Sequence, residues 1–213
     1  MTRFLAFLFM AGALSAGPIT FDLESLGQGD YTTVSSTVGG VTMTITRQSG
    51  LTFSITDTSA FSSPGPAAFG TRTLSPFNDT SNSAFIFTFS SAINSFSIQL
   101  GDYAGDFDTW SVTAFNGAGG TGTNLGGTSG TWGNGDFGLG DPAQTAALNQ
   151  AGMRSVVVMG GSTDFPNSLY YDNVIVDTTS NVPEPATLLM IPSGLAALAF
   201  LRRRIMRTKP QRN

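Results

Sequence analysis

The chain has 213 residues, a formal net charge of −4, and neither cysteine nor histidine. Its central part, from Gly17 to Asn181, has three basic and 13 acidic residues, a net charge of −10 that argues against a nucleic-acid partner. The missing residue types exclude disulfides, Ser-His-Asp and Cys-His catalysis and the usual zinc ligands, which leaves carboxylates as the available catalytic groups.

Residues 1–16 have the pattern of a secretory signal peptide. Arg3 precedes the apolar run Phe4–Met10, and the small residues AGALSAG follow it. A charged start, an apolar middle and a small-residue exit are typical of such signals. A buried N-terminal helix is the alternative, but no polar residue interleaves the apolar run as an amphipathic helix would require. We expect cleavage after Ala13, Ser15 or Ala16, with Ala16 preferred.

Residues 17–177 predict one all-β domain, an ectodomain long enough to bury its own core. Apolar and polar residues alternate with a period of two, which places one apolar face inward, over Val41–Thr46, Leu51–Ile55, Phe85–Phe89, Ser95–Leu100 and Trp110–Ala114. The β-branched runs at 154–159 and 173–176 are typical of strands covered on both faces. About eight to ten short strands, separated by Gly-, Ser- and Asn-rich turns, predict an antiparallel β-sandwich of the jelly-roll type.

One short connecting helix is predicted between these strands. Asp141 is a candidate N-cap, Pro142 suits the first helical position, and Gln144 completes a capping-box pattern. Gly152 then ends the predicted helix.

The C-terminal part has the pattern of a short membrane anchor. A polar linker at 178–182 leads to Pro183, Glu184 and Pro185, and the apolar stretch 186–201 follows. As a helix, this stretch would span about 24 Å, short of the roughly 30 Å hydrocarbon core. Arg202, Arg203 and Arg204 then place the end of the chain, including the tail 208–213, in the cytoplasm by the positive-inside rule.

This order of Val-Pro-Glu-Pro, apolar helix and arginine cluster resembles the PEP-CTERM sorting signal of Gram-negative bacteria that make exopolysaccharide. The resemblance covers residues 183–207 and the preceding valine, with the transmembrane helix at 186–201. It implies an exosortase-type membrane protease as a partner, with Pro183, Glu184 and Pro185 as the recognition motif and Arg202–Arg204 as the stop. The protein would be held transiently in the inner membrane and then released to the cell surface or the extracellular matrix. The alternative is an ordinary membrane anchor.

The ectodomain resembles carbohydrate-binding modules in three stretches: ITFDLES near its start, LGDYAGDFDTWSVTAFNGAG in the middle and LYYDNVIVD at the end. In such modules a calcium ion ties the first strand to the last. The resemblance therefore implies a structural calcium site at Glu24 and Asp172. The alternative at Asp172 is a capped turn.

A second metal candidate comes from the residues themselves. Asp102, Asp106 and Asp108 crowd one loop, and calcium prefers six to eight oxygen ligands. The spacing lacks the EF-hand order. Solvated loop carboxylates that keep an exported protein soluble are the alternative.

Sugar binding requires exposed aromatic faces on which pyranose rings can stack. Trp132 is the best candidate, and Tyr103, Tyr170 and Tyr171 are also eligible because they lie near Gly, Asp or Asn in expected loops. A structural Trp132 that closes one end of the sandwich is an equal alternative. Trp110 is predicted to lie in the core because it alternates in step with buried positions.

Three function classes remain open. The first is a non-catalytic surface or matrix protein that binds exopolysaccharide. The second is a structural matrix or adhesion protein without a defined glycan ligand. The third, a glycosidase with two carboxylates, has the least support, because no catalytic pattern surrounds any carboxylate.

Overall fold

The computed structural model describes residues 17–60, 67–76, 81, 83–102, 107–132 and 143–178. Residues 17–179 form one compact unit, and every buried side chain of the core belongs to it. The predicted signal peptide, sorting motif, transmembrane stretch and cytoplasmic tail lie outside the described residues. Within the described ranges, no helix has the length and apolarity needed to cross a membrane.

The described residues contain eleven β-strands, joined by loops and short 3-10 turns. The strands are β1 (Ile19–Phe21), β2 (Gly29–Tyr31), β3 (Thr33–Val38), β4 (Val41–Arg47), β5 (Phe53–Asp57), β6 (Arg72–Ser75), β7 (Phe85–Gly101), β8 (Asp108–Phe115), β9 (Asn124–Trp132), β10 (Gln144–Gly161) and β11 (Tyr170–Thr178). All pairings between them are antiparallel. The predicted all-β class is confirmed.

The strands form two layers, which the long strands β7 and β10 join by bending from one into the other. The front layer has the order β3-β4-β7-β10-β8-β9, and the back layer has the order β2-β5-β6-β11-β7-β10 with β1 beside β11. Phe87 and Phe96 belong to the same strand, yet their ring centroids lie 5.8 Å apart. A straight strand would separate them by roughly 30 Å. β7 therefore folds back over itself, and the predicted sandwich is confirmed.

The core between the layers is built mainly from the alternating apolar residues that the sequence indicated. Met43 and Ile45 of β4, with Phe87 of β7, meet residues of the opposite layer such as Phe96 and Val176. These side chains are almost fully buried. Burial of a large apolar side chain stabilises a fold by about 1.5–3 kcal/mol, so this core replaces the missing disulfides.

A buried arginine closes one end of the core. The Arg47 guanidinium donates hydrogen bonds to the carbonyl oxygens of Ser83 at 3.0 Å and Thr52 at 3.1 Å. It also lies 5.6 Å from the centre of the Phe85 ring. A buried charge needs such partners because its desolvation is costly. Arg47 thus joins the segment after β4 to the segment before β7.

The predicted connecting helix is wrong. Gln144–Gly161 is a single strand, and Asp141 and Pro142 lie outside the described residues. Ala146 and Leu148 alternate with exposed neighbours, so the segment gains more from pairing with β7 than from forming a helix. Gly152, with φ of +83°, occupies the register shift between the two halves of β10.

Candidate functional site

The aromatic residues chosen for sugar stacking do not form an exposed platform. Trp132 is only 1% exposed, because it points inward from the end of β9. Tyr170 and Tyr171 are also buried, and burial, together with the nearby Asp102, raises the pKa of Tyr170 to about 12. Tyr103 lies outside the described residues. The prediction for Trp132 and Tyr170 is wrong, and the structural alternative for Trp132 is confirmed.

Glu24 ties the segment after β1 to the start of β6. Its Oε1 atom accepts hydrogen bonds from the backbone N–H of Thr71 at 2.7 Å and of Arg72 at 3.1 Å, and its Oε2 atom accepts one from the Thr71 hydroxyl. The hydroxyl of Thr71 is the main reason why the pKa of Glu24 is lowered. Gly70, with φ of +60°, lies so close that a Cβ atom there would collide with the carboxylate.

Asp172 lies near Glu24 but is buried, with only 2% of its surface exposed. Its Oδ1 atom accepts a hydrogen bond from the backbone N–H of Asn173 at 2.7 Å. Burial raises its pKa to about 7, a hydrogen bond from Leu23 opposes the rise, and the charges of Glu24 and Asp22 add to it. The structure therefore brings the first and last strands together here, as expected.

The metal prediction gains no geometric support from this neighbourhood. In the part of the chain that the structure describes, no group of three or more His, Cys, Asp or Glu side chains could hold a metal ion. Both carboxylate oxygens of Glu24 already accept hydrogen bonds. The calcium site at Glu24 and Asp172 stays a prediction.

Asp102 and Asp108 lie on either side of residues 103–107, of which 103–106, including Asp106, are outside the described residues. Both side chains are buried, so the alternative of solvated carboxylates is wrong for them. The Ser168 hydroxyl donates a hydrogen bond to Oδ1 of Asp108 at 3.0 Å. Asp108 therefore anchors the start of β8 against the segment between β10 and β11.

A shallow depression lies on the outer surface of the front layer, across β9, β8 and β10, and has a volume of about 440 Å³. Cross-strand pairing arranges its floor in two rows. One row runs from Thr131 through Thr109 to Gly161, and the other runs from Ser129 through Ser111 to Met159. Neighbouring rows lie about 6.8 Å apart and neighbouring strands about 4.8 Å apart.

The lining of the depression is polar but uncharged. Hydroxyl groups come from Thr109, Ser111, Ser129, Thr131 and Ser162, and apolar surface comes from Trp110, Met159 and Pro166. A hydroxyl both donates and accepts hydrogen bonds. Such a lining matches a ligand that carries neutral hydroxyl groups and apolar CH surface.

Two exposed phenylalanines are close in sequence to residues that line the depression, and neither of them is part of the lining itself. Phe107 is 50% exposed and directly precedes β8, and Phe165 is 45% exposed and directly precedes Pro166 of the lining. The segment that carries Phe165 lies against Gly161, where a Cβ atom would collide with the Phe165 carbonyl. The backbone of Phe165 therefore lies against the lining at Gly161, and Phe107 lies two residues before Thr109 of the lining.

Trp110 lines the depression and also packs against the core, which agrees in part with its predicted place there. It is partly buried, and its ring packs on Gly130 so closely that a Cβ atom there would collide with it. Its Nε1 atom donates a hydrogen bond to Oε1 of Gln144 at 3.2 Å. Trp110 thus bridges the front and back layers at the edge of the core.

Sequence reasoning missed Phe107 and Phe165, although the signal was present. Phe107 is flanked by aspartates in GDFDTW, and Phe165 stands in the polar stretch STDFPNS. A large apolar residue among charged and turn-forming neighbours has little chance of burial. The prediction of sugar-stacking residues included only tryptophan and tyrosine, and so it did not include these two phenylalanines.

Comparisons with known proteins add little. No family model and no curated protein matches the chain. Among solved structures, the K2 cleaved adhesin domain of Lys-gingipain is similar, with a TM-score of 0.44 and 14% sequence identity over 76% of this chain and 100% of that domain. At this level the similarity carries no functional argument.

Proposed function

We propose that the protein is an exported, non-catalytic component of the cell surface or extracellular matrix, with a jelly-roll domain that binds neutral exopolysaccharide in the depression of the front layer. The observation that carries the proposal is the uncharged, hydroxyl-lined surface of the depression, with the exposed side chains of Phe107 and Phe165 next to lining residues in sequence. Aromatic rings can cover the apolar faces of sugar rings while hydroxyls exchange hydrogen bonds with the ligand.

The charge of the surroundings favours neutral over acidic polysaccharides. Asp164 is exposed next to Phe165, and residues 17–181 carry a net charge of −10. Uronate or sulfate groups would be repelled by this field. When a protein group replaces a hydrogen bond to water by one to a sugar, the net gain is only about 0.5–1.5 kcal/mol. Each site therefore binds weakly, and a polymer binds more tightly through several sites at once.

Carboxylate positions support a non-catalytic role. A glycosidase needs two carboxylates about 5–10 Å apart across a substrate cleft. The described residues that line the depression include no Asp or Glu. Asp102 and Asp108 are both buried. The surface is therefore suited to holding a glycan rather than cleaving it.

The binding proposal is tested with the unit of residues 17–179, measured by its retardation in gels that contain neutral or acidic polysaccharides. Loss of one aromatic contact, worth about 1–2 kcal/mol, should weaken retardation on a neutral glycan about 5- to 30-fold in Phe107→Ala and Phe165→Ala. Ile175→Ala, which removes a large apolar residue that is 38% exposed on the back layer, is the matched control. Equal retardation of all four proteins would contradict the proposal.

Export and sorting form the second part of the proposal. We infer that residues 1–16 are removed on export and that an exosortase-type protease releases the chain at the sorting signal, for which the order of Pro183–Pro185, apolar stretch and Arg202–Arg204 is the support. Mass spectrometry of the released protein should give Gly17 as its first residue. Glu184→Ala should leave the protein in the inner membrane of a host that has the protease. Normal release of this variant would contradict the sorting proposal.

A further inference from the structure

β3 forms one free edge of the front layer. Thr33–Val38 pairs with β4 through six consecutive residue pairs without a register shift, and no described strand forms backbone pairs with its other side, although β1 of the back layer lies close to β3 and the Ile19 side chain lies against Gly39. An unpaired strand presents a row of backbone N–H and C=O groups that can accept another strand.

The devices that usually protect a sheet edge are missing from β3. Its sequence TVSSTV has no charged residue and no proline, and it has no bulge. By contrast, the edge strand β2 of the back layer has only three residues and carries Asp30. Val38, at the end of β3, is 37% exposed, which makes it one of the few exposed large apolar residues described. An unprotected edge with exposed apolar surface favours pairing.

We propose that two copies of this chain pair through β3, antiparallel to each other, about a two-fold axis at Ser36. Thr33, Ser35 and Thr37 face outward, because they lie opposite Thr46, Thr44 and Thr42 of β4. A two-fold axis perpendicular to the sheet keeps the two outer faces on the same side. The axis can then pass through either of the two central residues of β3, Ser35 or Ser36.

Side-chain matching selects the axis at Ser36. There, Val38 lies opposite the partner's Val34, whereas an axis at Ser35 would place Val34 opposite the partner's Ser36. On the outer face, Ser35 lies opposite the partner's Thr37. Hydroxyl pairs of this kind already join β3 to β4, with Ser35 to Thr44 and Thr37 to Thr42 both at 2.9 Å. The dimer therefore buries the exposed valine and extends an existing ladder of hydroxyl pairs.

The dimer has a consequence for ligand binding, although it does not depend on the proposed function. β8, which carries part of the depression, is the fifth strand of the front layer counted from β3. At about 4.8 Å per strand, the two depressions would lie about 43 Å apart on one continuous face. A single polysaccharide chain could then bind to both, which raises the overall affinity without a new contact.

Single cysteines test the register, because the natural chain has none. Opposite Cα atoms in an antiparallel pair are about 4.5–5.5 Å apart, which suits a disulfide. With the unit of residues 17–179 under mild oxidation, Ser36→Cys should form a covalent dimer at least tenfold faster than Ser97→Cys, which lies in the middle of the back layer. An equal rate for the two would overturn the dimer, and a faster rate for Ser35→Cys would overturn the register.

Sedimentation equilibrium tests the association itself, without any glycan. The wild-type unit should show a concentration-dependent dimer, and Val38→Lys should raise the dissociation constant at least tenfold, because it buries a charge against the partner's Val34. Leu51→Lys is the matched control, since Leu51 is also 37% exposed but lies away from β3. A monomeric wild type at every soluble concentration, or an equal effect of the two lysines, would overturn the proposal.

Discussion

Replacing Asp172 by asparagine should remove a pH dependence from the stability of the domain. Asp172 is buried where β11 passes the segment after β1, and this burial raises its pKa to about 7 from an ordinary value of 3.8. In the pH range between these values, the folded protein holds a proton that the unfolded chain has lost. The contribution of Asp172 to the free energy of unfolding is therefore most favourable below pH 3.8. It decreases as the pH rises towards 7.

The size of the effect follows from the shift. Each pH unit in this range costs about 1.36 kcal/mol, so three units cost about 4 kcal/mol in total, of which about 2.5 kcal/mol falls between pH 5 and pH 8. Glu24 acts in the opposite direction, because its pKa is lowered, but it is exposed and its contribution is lost mainly as the pH falls below its ordinary value of 4.5. Asp172→Asn keeps an oxygen that can accept the hydrogen bond from Asn173.

Urea unfolding at pH 5 and pH 8, followed by the tryptophan fluorescence of Trp110 and Trp132, measures the difference. The wild-type free energy of unfolding should fall by about 2.5 kcal/mol more between these pH values than that of Asp172→Asn. Asp164→Asn, which removes an exposed aspartate, is the control and should behave like the wild type. Equal pH dependence of the wild type and Asp172→Asn would show that burial does not raise the pKa of Asp172.

Three further changes test the packing. Trp132→Ala should cost about 3–5 kcal/mol of unfolding free energy, because the indole is buried, and a loss below about 1 kcal/mol would contradict its inward position. Arg47→Ala should cost about 3 kcal/mol in the same urea assay, since it leaves buried carbonyl oxygens without donors, and an unchanged stability would show that water replaces them. Gly70→Ala should cost about 1–3 kcal/mol from its positive φ and its contact with Glu24. Glu24→Ala in the same chain should relieve part of that cost, and strict additivity of the two would contradict the contact.

The all-β class and most of the core could be predicted from the sequence, because a period of two places alternate residues on one face. Phe87 and Ile98 show this directly. The strand after Asp141 could not be predicted in this way. Its first residues match the pattern of a helix N-terminus, whereas its partner residues in β7 lie about 45 positions earlier in the sequence. Local capping is worth about 1 kcal/mol, and the pairing of a whole strand outweighs it.

The candidate site was harder to predict than the fold. Glu24 and Asp172 lie near each other because the first strand pairs with the last, while the calcium site predicted there stays a prediction. The inward orientation of Trp132 could not be predicted, because a glycine-rich context indicates a turn but not the direction in which the next side chain points. The depression depends on the register between β8, β9 and β10, and a sequence without an alignment does not contain that register.

We propose that the front layer holds a neutral polysaccharide beside Phe107 and Phe165. The most direct test is the affinity of the unit of residues 17–179 for a neutral glycan, compared with that of the double variant Phe107→Ala/Phe165→Ala at unchanged stability. We predict a loss of at least 30-fold in the double variant, together with no gain on an acidic glycan. An unchanged affinity in the folded double variant, or a preference for the acidic glycan, would contradict the proposal that a neutral polysaccharide binds beside these phenylalanines.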